Sequence, residues 1–479
     1  MKKEFLANIF LILGLNLLIK PFYVFGIEAE VQNVVGPNVY GLFFDLFNLC
    51  FIYQFFLDLG IHNYTSRYIS EDRQRYKDYF SKTLGSKVIL ALGFALMVLA
   101  SFYMLGYERV NFDLLCFVAI EMVLISFVMY LRATISALGY FRVDSYLSAL
   151  DKLLLLIVLT YVLYFSEYRT DFTILSFVQF QILSTTVVFF IALAFLIRKN
   201  GMPSFSISFD YSRKLFKKTA PFALVYLIMT LYTKMDGIML GRLIDDNHLQ
   251  AGIYAASFRI IDALNMVGFL FGTLLLPMFA HLELPTERNE LWEIAYRLLL
   301  NVIIIGLSIG IFYQTEIFQW LYTDWTPYYN EVFIGLLLSF CVMTLAYLFG
   351  IMITAKGSLR RLNIVYLIGV AINWVFNLWL IPKYLAVGAA YVTFATQLVI
   401  LIGLIYLSAK DLGFRIQAAM VIKSIVYLLM SFLLFYIVKV YLMTNWVIAM
   451  SFSVLLSILV SFLLGFLRLD LINQLKKPE

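Results

Sequence analysis

Apolar runs of about twenty residues, separated by short polar stretches, recur along the whole chain. They fall near residues 5–27, 40–61, 87–106, 113–138, 147–165 and 172–197, then near 219–241, 252–280, 296–313, 330–355, 362–382 and 387–408. Two more lie near 419–438 and 446–467. A helix of that length crosses the hydrocarbon core of a bilayer with its backbone polar groups bonded internally. The pattern predicts an all-α integral membrane protein of about 14 transmembrane helices. The first run exceeds a signal-peptide core and no small-residue cleavage site follows it, so it reads as a retained helix.

Composition sharpens the class. Of the 479 residues, 62% are hydrophobic and 14% charged, against roughly 45–50% and about 25% in ordinary soluble domains. Disorder is excluded, and almost no length remains for a soluble domain. Cys50, Cys116 and Cys341 each sit in an apolar run and read as small buried hydrophobes. A net charge of +6 would suggest nucleic acid in a soluble protein, but here its distribution matters more. With the N-terminus in the cytoplasm and the runs alternating, roughly 28 of the 36 Lys and Arg lie inward, about 5 outward and about 3 within spans. That asymmetry favours the count and places both termini inside, with no nucleic-acid partner.

An internal repeat is visible. Ile135-Ser136-Ala137-Leu138-Gly139-Tyr140-Phe141-Arg142 follows the fourth run, and Ile353-Thr354-Ala355-Lys356-Gly357-Ser358-Leu359-Arg360 follows the tenth. A fainter echo pairs Tyr40-Gly41-Leu42 before the second run with Ala251-Gly252-Ile253-Tyr254 before the eighth. Both link a helix to the sixth after it. An even number of spans returns the chain in the same orientation, so the repeats are parallel. The expected organisation is an N-lobe over 1–200, a C-lobe over 201–410, and two appended helices over 411–479. The two six-helix lobes are expected to surround a central cavity.

Ionisable groups within spans are costly unless paired or facing a wet cavity, so each is a functional candidate. Asn8, Asn16, Lys20 and Tyr23 share an arc of the first helix. Lys20 either faces the cavity or snorkels toward the outer interface; the asparagines favour the cavity. Tyr226 lies on the polar face of the seventh helix with Lys234 and Asp236 flanking it, and Lys234 is either a cavity cation or an interfacial one. Arg259 and Asp262 are spaced to neutralise each other or to serve a ligand. Arg132 reads either as a cavity cation or as the inner end of its helix. Glu121, deeper on the same helix, is a candidate proton-linked carboxylate, joined by Asp45 and Asp58 on the second helix. Asn373 and Asn377 read as a bridge between helices.

There is no G-x-x-x-x-G-K-[ST] loop, and His62, His248 and His281 have no metal-ligand spacing. Catalysis, a cofactor and a metal are not expected.

Gly36-Pro37-Asn38-Val39-Tyr40-Gly41-Leu42-Phe43, Leu57-Asp58-Leu59-Gly60-Ile61 and Asp236-Gly237-Ile238-Met239-Leu240-Gly241 resemble segments of the Wzx-type polysaccharide flippases. Two further stretches, Ala251-Gly252-Ile253-Tyr254-Ala255-Ala256 and Ile381-Pro382-Lys383-Tyr384-Leu385-Ala386-Val387-Gly388-Ala389-Ala390, resemble them as well. These flippases belong to the multidrug/oligosaccharidyl-lipid/polysaccharide exporter superfamily. The resemblance implies a V of two lobes in a bacterial cytoplasmic membrane. Its implied cargo is an undecaprenyl-diphosphate-linked oligosaccharide for O-antigen, capsule or other surface polysaccharide. It further implies a monomer working beside a polymerase and chain-length machinery.

Lys20, Lys234, Arg259 and Arg132, with Asn16, Tyr23 and Tyr226, are then the expected substrate-binding residues. Asp58, Glu121, Asp236, Asp262 and Asp45 are the expected ion-coupling ones. A MATE-type drug or metabolite antiporter is the alternative within the superfamily, with a lipid II flippase third. From another class, a membrane-embedded polymerase or ligase would need a large basic outer loop; the longest outer segment, about 314–330, holds no Lys or Arg.

Overall fold

The computed structural model describes residues 14, 18–72, 76–201, 206–282, 284–357, 359–414, 417–442 and 445–467. Among them there is helix and no strand. Among the described residues ten helical stretches are long and apolar enough to cross a membrane. The chain is an all-helical, multi-pass membrane protein, and it divides into two compact units, Met1–Ala255 and Ala256–Glu479.

In the first unit a π-helical turn, Phe22–Glu28, runs on into α1 (Ala29–Val35). Hydropathy ends the first helix near residue 27, yet the structure continues it to Val35. Helices stop where the backbone must leave the helical region, and here that is Gly36 at φ 84°, followed by Pro37 in the first turn of α2 (Pro37–Asp58). Two left-handed residues, Leu59 and Gly60, separate α2 from α3 (Ile61–Glu71). Low mean hydropathy hid α3 inside a predicted loop. It is amphipathic, burying Ile61, Thr65 and Ile69 at four-residue spacing while Arg67 and Ser70 stay exposed.

The helices α4 (Tyr76–Met104), α5 (Phe112–Ala137), α6 (Phe141–Tyr164), α7 (Ile174–Asn200) and α8 (Phe209–Leu243) follow, and α9 (Leu249–His281) leads out of the unit. Within it, α2 packs along α8, α5 along α7, and α4 and α5 against α2.

The repeated I-[ST]-A-x-G-x-x-R pattern is a helix ending. Gly139 (φ 93°) donates its N–H to Ser136 O at 2.9 Å, and Tyr140 donates to Ile135 O at 3.1 Å. Gly357 (φ 79°) donates to Thr354 O at 3.0 Å in the second copy. Glycine is required because the residue after the helix must turn left-handed to satisfy the last carbonyls.

The fainter repeat is a close contact. A Cβ on Gly41 would lie 2.1 Å from His248 O, and one on Gly252 would lie 1.9 Å from Pro37 O. Each glycine therefore rests against the carbonyl four residues before the other.

In the second unit, α10 (Pro285–Leu321) and α11 (Pro327–Ala355) pack together, and α11 packs along α12 (Leu359–Leu412). The last is two arms rather than one rod. Leu385 (φ 56°, ψ −139°) breaks it just after Pro382, and Gly369 packs on Ile400 while Gly403 packs on Val365. The arms correspond to the predicted runs 362–382 and 387–408. Helices α13 (Ala418–Ile437) and α14 (Trp446–Leu463) are joined to α10 by buried hydroxyls. Tyr427 donates to Asn301 Oδ1 at 3.0 Å, Ser431 meets Ser457 at 2.8 Å, and Tyr296 meets Ser424 at 2.9 Å. Between apolar helices in lipid, such bonds and close packing replace the hydrophobic drive.

Candidate functional site

Three polar clusters lie within the first unit. The deepest joins the π-helical turn, α5, α6 and α7. Glu121, 5% exposed, accepts a 2.7 Å hydrogen bond at Oε1 from Thr185, while Oε2 is buried without a hydrogen-bond partner among the described residues. The charges that act on it are Lys152 and Asp151. These two stand midway along α6, inside an otherwise apolar run. The Lys152 ammonium lies 4.9 Å from the centre of the Tyr23 ring, and the Tyr23 hydroxyl accepts from Gln181 Nε2 at 3.3 Å. The side chain of Lys152 keeps 30% of its surface exposed. The same ammonium lies 3.9 Å from the Asp151 carboxylate; partly open, over an aromatic ring and within the field of a buried carboxyl, it can bind an anion and exchange a proton.

The second cluster sits at the end that the charge pattern assigns to the outside. Asp45, with no exposed surface, accepts from the Tyr107 hydroxyl at 2.6 Å, and its other oxygen lies 3.4 Å from Arg242 Nε. The Arg242 guanidinium also covers the Tyr107 ring at 3.9 Å and reaches His248 Nε2 at 3.3 Å. That bond requires an acceptor nitrogen, hence a neutral imidazole. Burial, and then the neighbouring Arg242 charge, pull His248 down from an ordinary 6.5 to about 4. The unfolded chain thus binds the proton more readily between those values. The contribution of His248 to stability is full above pH 6.5, falls as pH drops from 6.5 toward 4, and levels off below. Thermal denaturation of the wild type and His248→Gln side by side should show that contribution as a difference between them that grows as pH falls across this range.

The third cluster lies at the opposite end. Lys87, 1% exposed, donates to Leu57 O at 3.1 Å and to Ser126 Oγ at 2.7 Å, with Asp58 at 3.7 Å. It ties down the last turn of α2. Asp58 in turn accepts from the His62 N–H at 3.2 Å, holding the start of α3.

The sequence-predicted residues distribute as follows. Tyr23 and Glu121 belong to the deep cluster, Asp45 to the outer one and Asp58 to the inner one. Arg132 donates to Asp144 Oδ1 at 2.8 Å, an ion pair between α5 and α6. Asp236 is buried and accepts from Tyr254 at 2.8 Å. Lys20 is half-buried, and Lys234 lies 5.0 Å from the centre of the Phe51 ring.

In the second unit Arg259 is buried and donates to the Tyr322 hydroxyl at 2.6 Å, whereas Asp262 is exposed. Asn377 donates to Asn373 at 3.3 Å, a bond within one arm of α12. Asn8, Asn16 and the side chain of Tyr226 lie outside the described residues.

Sequence reasoning passed over Lys152, Thr185, Gln181 and Arg242, and it considered His248 only as a metal ligand. The one legible signal was Asp151-Lys152, an adjacent charge pair inside an otherwise apolar run.

This architecture is a known one. Over 94% of its length the chain superposes on the lipid II flippase MurJ in an inward closed conformation, covering 97% of that chain with TM-score 0.70 and 15% identity. An inward-facing multidrug resistance MATE family transporter of the MOP superfamily matches with TM-score 0.60 and 12% identity, over 82% of this chain and 95% of that one. Its outward-facing counterpart gives 0.51 and 14%, over 84% and 94%. The fold is thus that of MurJ and the MATE transporters, proteins that move cargo rather than catalyse reactions. A search of curated proteins found no match. The family model described as polysaccharide biosynthesis protein matches residues 5–283, and the chain belongs to that family.

Proposed function

We propose that this protein turns an undecaprenyl-diphosphate-linked oligosaccharide from the inner to the outer leaflet of a bacterial cytoplasmic membrane. The unit would feed O-antigen, capsule or related surface-polysaccharide assembly. Family membership supports the polysaccharide context, and the MurJ-like fold supports alternating access. The observation that carries the reading is Lys152, a partly exposed cation at mid-span beside Tyr23 and Glu121.

A diphosphate crossing the bilayer needs charge-assisted hydrogen bonds from fixed cations, and a sugar needs flat aromatic faces. Lys152 and Tyr23 offer both chemistries in one place. Lys20 and Lys234 extend the cationic lining along the path of the headgroup. Glu121, held by Thr185, serves as the proton-exchanging partner that resets the cavity after release.

The test is flipping of a lipid-diphosphate-linked oligosaccharide in proteoliposomes, alongside surface polysaccharide in cells. Lys152→Ala should reduce flipping by at least about tenfold, the size expected for one lost charge-assisted contact. Lys152→Arg should retain part of it, and Lys20→Ala and Lys234→Ala should deepen the defect. Full transport by the triple alanine variant at normal membrane abundance would refute the reading.

A further inference from the structure

The second unit carries a cationic corner that the transport reading does not use. Arg360 and Arg361 occupy the first turns of α12, and Lys410 and Asp411 its end. Doubling back at Leu385 brings those two ends together, with Gly403 against Val365 pinning the arms close to the corner. With Gly357 from the preceding turn, the four side chains line a shallow cavity of about 680 Å³.

The charge balance there is uneven. Asp411 accepts from Arg361 at Oδ1, while its Oδ2 is buried without a hydrogen-bond partner among the described residues. Arg360 and Lys410 are exposed, and among the described residues the Lys410 ammonium meets Tyr406, its hydroxyl at 3.4 Å and its ring centre at 5.6 Å. Two positive charges are left in excess around one concavity. The N-terminal turn of α12 adds the positive end of a helix dipole to the same place. Away from the corner the arms expose Ile364, Ile368 and Ile402, apolar surface of the kind that faces acyl chains.

We propose that this corner binds the phosphate headgroup of an anionic phospholipid, in the leaflet that the charge pattern assigns to the cytoplasm. A base that only labels topology needs nothing beyond water at a helix end. Here the fold gathers three bases against a single carboxylate around one cavity and sets apolar helix surface beside it. That combination suits a phosphodiester whose chains lie along the arms.

Native mass spectrometry of the detergent-purified full chain, titrated with dioleoyl phosphatidylglycerol or dioleoyl phosphatidylcholine, provides the test. The wild type should retain phosphatidylglycerol preferentially. The double variant Arg360→Gln/Lys410→Gln should lose about thirtyfold in apparent affinity, the worth of two bases at a membrane surface. Arg142→Gln, an exposed base in the corresponding turn of the first unit, should leave retention unchanged. Equal retention of the two lipids, or an unaltered double variant, would overturn the proposal. Displacement of phosphatidylglycerol by millimolar inorganic phosphate would assign the corner to free anions and overturn the lipid reading. Flipping activity does not enter the measurement, so the result stands apart from the transport proposal.

Discussion

Alanine in place of Gly252 should lower the thermal midpoint sharply, and leucine should abolish the folded protein. A Cβ at this position would lie 1.9 Å from the carbonyl oxygen of Pro37 and 2.7 Å from its carbon. Both are backbone atoms, which cannot swing aside as a side chain does. Relief requires moving α2 or the start of α9 bodily, and that breaks the Gln32 bond to Gly252 O at 3.1 Å. Overpacking of this kind costs about 1–3 kcal/mol for a methyl and more for a larger group. Gly26→Ala is the control. Nothing lies within 4 Å of a Cβ there and the backbone is helical, so that change should be neutral or slightly stabilising. Denaturation of both variants in the same detergent decides the matter, and equal midpoints would refute the argument.

Arg242→Ala should be the most damaging single change among the charged residues of the first unit. It leaves Asp45, which has no exposed surface, with the Tyr107 hydroxyl and a neutral His248 as its remaining polar neighbours. Removing one partner of a buried ion pair costs about 3–5 kcal/mol, because the remaining charge stays desolvated. The guanidinium also covers the Tyr107 ring, so packing is lost along with charge. Asp45→Asn added to Arg242→Ala should recover a large part of the loss. A double-mutant cycle on thermal stability measures the coupling, and strictly additive effects would show that the pair does not act as one.

These expectations rest on contacts that were only partly visible in the chain. Asp45 and Glu121 stood out as carboxylates inside apolar runs, and the structure confirms that both are buried. Their partners did not stand out. Tyr107 is 62 positions from Asp45, and Thr185 is 64 from Glu121. Arg242, at the end of α8, and His248, in the turn after it, show no special role until the fold lays them on α2. Lys87 was not singled out in the sequence; its burial against Leu57 O and Ser126 appears only once α2, α4 and α5 are packed. The repeats were legible as patterns, yet their meaning was structural. One is a helix ending that needs a left-handed glycine, and the other is a pair of glycines that lets two backbones touch.

The division has a physical cause. Membrane class, the positions of the apolar runs and the side that carries the bases follow from the sequence by itself. Each is a sum over some twenty neighbouring residues, weighed against the thickness and surface charge of a bilayer. Helix ends at Gly36, the amphipathic α3 and the reversal at Leu385 lie just beyond that resolution, since they turn on single backbone angles. The clusters lie further still. Which ammonium meets which ring, and which carboxylate keeps a bare oxygen, depends on how helices far apart in sequence are rotated against each other. No local sum holds that information, so the placing of Lys152 over Tyr23 and beside Glu121 was decided by tertiary packing alone.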